Sequence, residues 1–280
     1  MKKLTLNMKY CLTLALITAW TISSGGCGKE TTEQDAPPEQ FTAEKRLLAD
    51  QIISCFENSN PIIQYDYVEN LNDGRGYTAG RAGFTTATCD LLEVVNRYTQ
   101  QVPSNPLATF IPRLKTVCAN EDPSVSGLEN LPKAWKTAAN DAIFKKIQDD
   151  VVNDYYFNPA LKYFQNAGLK YPLSLLNLYD ACIQHGDGTD PDGLAAMIKR
   201  TNQAAGGSPT EGVDETKWLD KFMVIRKNTL LNATDPATKD AWRESVDRVD
   251  ALRRIFDNKN LNLKAPLKLT VWGDTFNLPQ

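Results

Sequence analysis

Helical periodicity constrains the fold of this chain more than any other feature. Apolar residues recur at spacings of three and four, which places them on one face of an α-helix. The apolar faces are Leu48, Ile52, Cys55 and Phe56; Leu91, Val95 and Tyr98; Trp135, Ala139, Ile143, Ile147 and Val151; Leu173, Leu176, Tyr179 and Ile183; Trp218, Phe222 and Ile225; and Trp242, Val249, Leu252 and Phe256. The sequence therefore predicts a mainly α fold, with one long helix from Trp135 to about Asp154.

Local signals predict where several helices begin and end. Thr42 is a suitable N-cap for the first helix, and Pro61 predicts that this helix ends near Glu57 and Asn58. Gly186 is expected to close the helix that contains Leu173. Asp190-Pro191 resembles an N-cap followed by a first helical residue.

A glycine-rich stretch near the N-terminal third predicts a small β-sheet. Residues 63–68 (IQYDYV) alternate in the manner of a strand, and Asp73-Gly74 is a dipeptide typical of hairpin turns. Residues 261–278 show short alternations that favour a final hairpin. The fold class is therefore mainly α with a small antiparallel sheet, that is, α+β.

The N-terminal residues indicate export. Lys2, Lys3 and Lys9 precede an apolar run that is too short to favour a transmembrane anchor, so residues 1–26 are interpreted as a signal peptide. Cys27 follows small residues as in lipoproteins, where this cysteine carries a lipid, although Ser24 stands where leucine is usual and plain cleavage remains the alternative. Residues 27–41 are polar and predict a flexible tether. We expect an extracellular or envelope location, with possible membrane attachment through Cys27.

The net charge and the residue counts exclude some classes of partner and cofactor. The net charge is −3, and removing the three lysines of residues 1–26 makes it −6, which disfavours nucleic-acid binding. His185 is the only histidine, so sites with two histidine ligands are excluded. We expect no metal and no cofactor. Residues 42–280 are long enough for one large domain or for two lobes that share a core, and we expect the protein to be a monomer.

Four cysteines lie beyond the predicted signal peptide and Cys27. They permit three pairings, among which the sequence does not choose. In a domain of this size we expect them to be buried small apolar residues rather than a needed disulfide framework. These cysteines are Cys55, Cys89, Cys118 and Cys182.

Two carboxyl groups occupy contrasting surroundings. Glu57 lies at a helix C-terminus beside Phe56, where the helix dipole and partial burial both favour the protonated group. Asp73 lies in a polar, glycine-rich turn, which favours the ionised group. Such a pair is typical of glycoside hydrolases. An ordinary helix-end glutamate and an ordinary turn aspartate are the plain alternatives.

Seven sequence segments occur in a fixed order between about Thr42 and the C-terminus. They are SxFEN at 54–58, residues 63–88 with the DGRGYT block, 90–95, 179–192, 199–209, 214–222 and 242–250. Together these segments resemble the motifs of family 46 chitosanases, a glycoside hydrolase family. The resemblance implies a lysozyme-like fold of two mainly helical lobes, with the small sheet beside the active-site cleft.

The resemblance also implies roles for individual residues. Glu57 would be the proton donor, Asp73 the base that activates water, and Thr78 a residue that holds this water. Four residues would bind the substrate, with Asp90 on an amino sugar and His185 at a distal subsite: Tyr67, Arg75, Asp90 and His185. An internal ion network would hold the catalytic acid in place: Asp180, Arg226 and Arg248.

Together these features predict endo-acting hydrolysis of β-1,4 bonds in chitosan by a single displacement that inverts the anomeric carbon. Two alternatives remain open at this point. One is a lysozyme-type or lytic enzyme that cleaves peptidoglycan. The other is a sugar-binding lipoprotein without catalytic activity.

Overall fold

The computed structural model of the protein describes residues 41–72, 74–236 and 238–279. The predicted signal peptide, Cys27, almost all of the predicted tether, and Asp73 lie outside these residues. Phe41 is the one tether residue described. It is buried and its ring lies 5.7 Å from that of Phe157, so it belongs to the folded part of the chain.

The described chain is mainly helical, as predicted. It also contains a three-stranded antiparallel sheet in the order β1-β2-β3 and a separate antiparallel hairpin, β4-β5. The helices are α1 (Ala43–Asn58), α2 (Asp90–Gln101), α3 (Ile111–Ala119), α4 (Leu131–Ala138), α5 (Ala142–Val152), α6 (Asn158–Asn166), α7 (Pro172–His185), α8 (Leu194–Ala205), α9 (Glu215–Leu231), α10 (Lys239–Glu244) and α11 (Val246–Asp257). The strands are β1 (Val68–Asn70), β2 (Tyr77–Ala79), β3 (Phe84–Thr85), β4 (Leu267–Val271) and β5 (Asp274–Leu278).

The described residues form two compact units, and the first comprises residues 53–72 and 74–155. It holds the three-stranded sheet and helices α2 to α5, with α2 packed against both α3 and α5. Aromatic rings fill its core: the Phe144 ring lies 4.8 Å from the ring of Trp135 and 4.8 Å from the ring of Tyr98. Offset and edge-to-face contacts of this kind stabilise a core beyond their buried area.

The second unit comprises residues 41–52 and most of 156–279. Its central element is α7, in which every residue from Pro172 to His185 is buried. A helix buried on all sides belongs to the middle of a unit, and α6, α8, α9 and α11 all pack against α7. Polar side chains within such a helix need partners, because an unpaired buried polar group is costly.

Most of the predicted helix starts and helix ends are confirmed. The Lys45 N–H donates to Thr42 Oγ1 at 3.4 Å, and α1 ends at Asn58. Gly186 follows α7 with a positive φ of 68°. The final hairpin is also confirmed, with Trp272 and Gly273 as its turn.

The predicted strand over 63–68 is wrong except at its last residue, because β1 covers only Val68–Asn70. The backbone before it is held by side chains instead of a strand ladder. The Tyr65 carbonyl accepts hydrogen bonds from Trp135 Nε1 and Gln148 Nε2, each at 3.0 Å.

Two predicted continuous helices are interrupted. The long helix is divided between α4 and α5, since the Asp141 side chain accepts the Ile143 N–H and caps a new helix. Near the C-terminus, α10 and α11 are separated at Ser245, whose hydroxyl donates to the Trp242 carbonyl. Apolar spacing continues across both breaks, so periodicity alone did not reveal them.

Asp190-Pro191 does not begin a helix, contrary to the prediction. Asp190 Oδ1 accepts the N–H of Asp192 in a local turn, and α8 begins only at Leu194. No helix in the described part of the chain is long and apolar enough to cross a bilayer.

Candidate active site

Glu57 lies in the last turn of α1, as predicted. Its side chain is half-buried, and the preceding Cys55 and Phe56 are buried. Ser54 Oγ donates to the Ile62 carbonyl at 3.1 Å and so ties the chain that follows the helix back to it. The structure therefore places the Glu57 carboxyl at the C-terminal end of α1, partly exposed to solvent.

Thr78 occupies the middle of the central strand β2. It is paired with Glu69 on β1 and with Thr85 on β3. Its side chain is buried, and its Oγ1 has no hydrogen-bond partner among the residues that the structure describes. A buried hydroxyl without a protein partner is suited to binding a water molecule.

Residues 71–76 connect β1 to β2 and include Asp73, which lies outside the described residues. The end of this connection is fastened by Thr86. Thr86 Oγ1 accepts the Tyr77 N–H at 3.2 Å and donates to the Arg75 carbonyl at 3.3 Å. A Cβ at Gly76 would overlap Thr86 Oγ1, so glycine is required there. Thr86 is not recognisable from the sequence as a functional residue, because nothing in a run of threonines reveals which one is buried.

Tyr67 and Glu69 form a polar pair at the edge of the sheet. Tyr67 Oη donates to Glu69 Oε2 at 3.1 Å, and the Glu69 side chain is exposed. A carboxylate in this position is available to a cationic ligand.

Asp90 is the first residue of α2 and is only 9% exposed. Its Oδ1 accepts hydrogen bonds from the Thr85 N–H at 2.7 Å, Thr88 Oγ1 at 2.8 Å and the Leu91 N–H at 3.0 Å. Burial raises the pKa of Asp90 to about 6, although these donors oppose the shift. The predicted contact with an amino sugar remains a prediction.

We expect Asp90 to make stability depend on pH. The folded protein holds this proton up to about pH 6, whereas the unfolded chain releases it near 3.8. The contribution of Asp90 to the free energy of unfolding is therefore complete below pH 3.8. It decreases by about 3 kcal/mol as the pH rises to 6. Asp90→Asn keeps an accepting oxygen and removes the titration.

Urea unfolding of both proteins between pH 4 and pH 7 measures this difference. The free energy of unfolding of Asp90→Asn, minus that of the unaltered protein, should increase over this range. Two parallel pH profiles would contradict the assignment.

Cys89 and Cys118 form a disulfide, so the expectation that the four cysteines are buried small apolar residues is wrong for this pair. The bond joins the residue before α2 to the end of α3, and sequence spacing contains no signal for it. Cys55 and Cys182 are buried, as expected, and neither forms a disulfide with another cysteine that the structure describes. Burial raises the pKa of Cys55 to about 12, which leaves it protonated and unreactive at neutral pH.

In the second unit, the structure joins Asp180, Arg226 and Arg248 in one fully buried ion network. Arg226 Nη1 lies 2.5 Å from Asp180 Oδ2, and Arg248 Nη2 lies 2.6 Å from Asp180 Oδ1. Burial opposes ionisation of Asp180, but the two arginines outweigh it and hold its pKa below the ordinary range. Breaking such a network by removing one partner leaves a buried unpaired charge, which is strongly destabilising. That this network holds the catalytic acid remains a prediction.

His185, the last residue of α7, is also buried in the second unit. It is 2% exposed, and its ring makes an edge contact with Trp242 at a centroid distance of 4.6 Å. Burial, followed by the charges of Arg226 and Arg248, holds its pKa well below the ordinary value, so the ring is neutral. This placement favours a core role and speaks against direct contact with a sugar.

The predicted site residues thus divide between the units. The first unit contains Glu57, Tyr67, Arg75, Thr78 and Asp90, and the second contains His185 and the ion network. Across residues 41–72, 74–236 and 238–279, no group of three or more histidine, cysteine, aspartate or glutamate side chains is arranged to hold a metal ion.

The model of glycosyl hydrolase family 46 matches residues 51–267. A chitosanase from Bacillus subtilis (strain 168) is 51% identical over 224 residues, which cover 80% of this chain and 81% of that protein. Among solved structures, the Gynuella sunshinyii GH46 chitosanase in complex with chitotetraose is 51% identical with a TM-score of 0.78, covering 85% of this chain and 99% of that one. A mutant chitosanase from Bacillus subtilis MY002 complexed with 6 GlcN is 48% identical, also with a TM-score of 0.78, covering 85% and 99%.

The family match spans most of the described chain and includes Glu57, the β1-β2 hairpin and the buried ion network. The chain therefore belongs to glycosyl hydrolase family 46.

Proposed function

We propose that this protein is an endo-acting chitosanase that cleaves β-1,4 bonds by an inverting single displacement, with Glu57 as general acid and Asp73 as general base. The identification of chitosan as the substrate rests on the similarity to chitosanases solved with chitotetraose and with 6 GlcN. The position of Glu57 at the end of α1 supports its role as the acid.

In this mechanism Glu57 protonates the oxygen that bridges two sugars. Asp73 removes a proton from a water molecule on the opposite face of the sugar ring, and that water attacks the anomeric carbon. An inverting pair is separated by about 6.5–9.5 Å, because the water must fit between the carboxylate and the sugar. The hydroxyl of Thr78, which makes no hydrogen bond to any described residue, is a donor or acceptor for this water.

Charge pairing would select the substrate. Chitosan carries one positive charge per deacetylated unit at mildly acid pH, whereas chitin is neutral. Asp90 supports this selection, since a nearby ammonium group favours the ionised form of a carboxyl whose pKa is about 6. The exposed carboxylates of Glu69 and Asp66 add negative charge near the sheet.

We expect kcat/KM on extensively deacetylated chitosan to exceed that on extensively acetylated polymer by about 10- to 100-fold, the worth of one charge-assisted hydrogen bond. Raising the salt concentration should lower activity on chitosan, because salt screens the exposed pairs. A reducing-sugar assay at matched chain length measures both effects. Preference for the acetylated polymer, or clearing of bacterial walls without chitosan cleavage, would contradict the proposal.

We also propose that the enzyme acts outside the cytoplasm as a monomer. Residues 1–26 support export, and Cys27 supports attachment through a lipid. Mass spectrometry of the exported protein tests the lipid, since an acylated Cys27 adds the mass of the chains to the N-terminal peptide. An N-terminal peptide without that mass would contradict the lipid attachment.

A further inference from the structure

Residues 65–81, here called the hairpin segment, carry much of the proposed chemistry. Tyr67, Arg75 and Thr78 lie within the segment, and in sequence so does Asp73. Among its described residues, β1 and β2 pair over three residues each, so its own ladder is short. Pairing of β2 with β3 and the Thr86 hydroxyl hold its middle. The location of its reactive groups depends in addition on what holds its two ends.

Both ends are fastened by one side chain, that of Gln148 on α5. Gln148 Nε2 donates to the Tyr65 carbonyl at 3.0 Å, and Gln148 Oε1 accepts the Arg81 N–H at 3.1 Å. Gln148 is 0% exposed, so water does not compete for these two bonds. One rigid amide thus joins the start of the segment to its end.

Neighbouring hydrogen bonds also hold the two ends of the hairpin segment together. Trp135 Nε1 donates to the same Tyr65 carbonyl at 3.0 Å, and the Gly80 N–H donates to the Tyr67 carbonyl at 2.8 Å. A Cβ at Gly80, where φ is 72°, would overlap Gln148 Oε1, so the glycine permits the close approach.

Side chains at the two ends also converge on α5. Tyr65 Oη donates to Asp149 Oδ1 at 2.9 Å, and Arg81 forms an ion pair with the same carboxylate. Asp149 follows Gln148 directly, so one turn of α5 receives both ends of the segment through backbone and side chains.

We infer that Gln148 is a positioning residue for the proposed reaction, in that its carboxamide fixes the hairpin segment against α5. The inference rests on the proposed function, because the segment matters for catalysis only if its residues handle the water and the sugar. Misplacing a reacting group by about 1 Å is enough to reduce a rate by about 100-fold.

Gln148→Met tests this inference, because methionine has a similar length and neither donates nor accepts these hydrogen bonds. We expect kcat on chitosan to fall about 10- to 100-fold. KM should rise by a smaller factor, because Tyr67 and Arg75 lie on the segment while sugar contacts outside it are kept. Activity is measured at a temperature where circular dichroism shows both proteins to be folded.

Val151→Ala is the matched control. Val151 is buried on the same helix, so its truncation lowers the melting temperature, yet it makes none of the hydrogen bonds to the hairpin segment. Its kcat should stay within about twofold of the unaltered enzyme, because a stability loss alone does not displace the segment. A second variant, Trp135→Phe, removes one of the two donors to the Tyr65 carbonyl and should give a smaller loss of kcat than Gln148→Met.

A folded Gln148→Met variant with unaltered kcat would overturn the inference, as would an equal loss in Val151→Ala. If Gln148→Met does not fold, Gln148→Asn decides, because its shorter side chain does not reach both the Tyr65 carbonyl and the Arg81 N–H. An unaltered kcat in that folded variant would overturn the inference. Failure of the proposed function can be distinguished from failure of this inference, because the unaltered enzyme would then release no reducing sugar from chitosan.

Discussion

Glu57→Gln should lower kcat on chitosan by about 100- to 10,000-fold, the usual contribution of a general acid. Glutamine has nearly the shape of glutamate but does not transfer a proton to the bridging oxygen. Binding should be largely kept, so KM should change little. Initial rates of reducing-sugar release measure kcat, and calorimetric titration with a chitosan oligomer measures binding.

A substrate with a different leaving group shows whether Glu57 acts as the general acid or only as a structural residue. A glycosyl fluoride needs little protonation to depart, so Glu57→Gln should hydrolyse a glucosamine-oligomer fluoride much closer to the normal rate. Glu121→Gln serves as a control, because Glu121 is an exposed turn residue of the same unit. If Glu57→Gln turns over chitosan at the normal rate, Glu57 is not the acid.

Asp73→Asn should reduce kcat to a similar extent, by about 100- to 10,000-fold, but for a different reason. Asparagine does not accept a proton from the attacking water, so the nucleophile stays weak whichever group departs. The same fluoride substrate should therefore fail to restore activity in Asp73→Asn. Parallel assays on chitosan and on the fluoride separate the two roles.

Asp150→Asn is the control for this second variant, since Asp150 lies in the first unit and pairs with Lys146 at the surface. Its rate should be normal on both substrates, because an exposed ion pair contributes little. Restoration of Asp73→Asn by the fluoride to the level seen with Glu57→Gln would contradict the assignment of Asp73 as base.

Local patterns predicted the fold well where local interactions determine it. The apolar face of α1, its Thr42 cap and the Gly186 terminus of α7 all depend on residues within a turn or two. The division between α4 and α5 escaped prediction because the apolar spacing continues through it, while the Asp141 cap starts a new helix. The Cys89–Cys118 bond escaped prediction because it depends on how α2 and α3 pack.

The site residues also differ in whether local sequence patterns or long-range contacts determine them. Glu57 and Thr78 were assigned from motifs that lie close together in sequence, and their catalytic roles stay predictions. Gln148 was not, because its two partners lie 83 and 67 residues away and no local pattern relates them. His185 was assigned a sugar contact by resemblance, and only the structure shows that its ring is buried against Trp242.

The stereochemistry of the first product tests the central claim most directly, that Glu57 and Asp73 act as an acid and a base across one attacking water. Proton NMR during the first minutes on a chitosan oligomer reports the new reducing end before mutarotation mixes the anomers. Single displacement at a β-linkage predicts that the α-anomer accumulates first. Initial accumulation of the β-anomer would mean retention, and Asp73 would then not be the base.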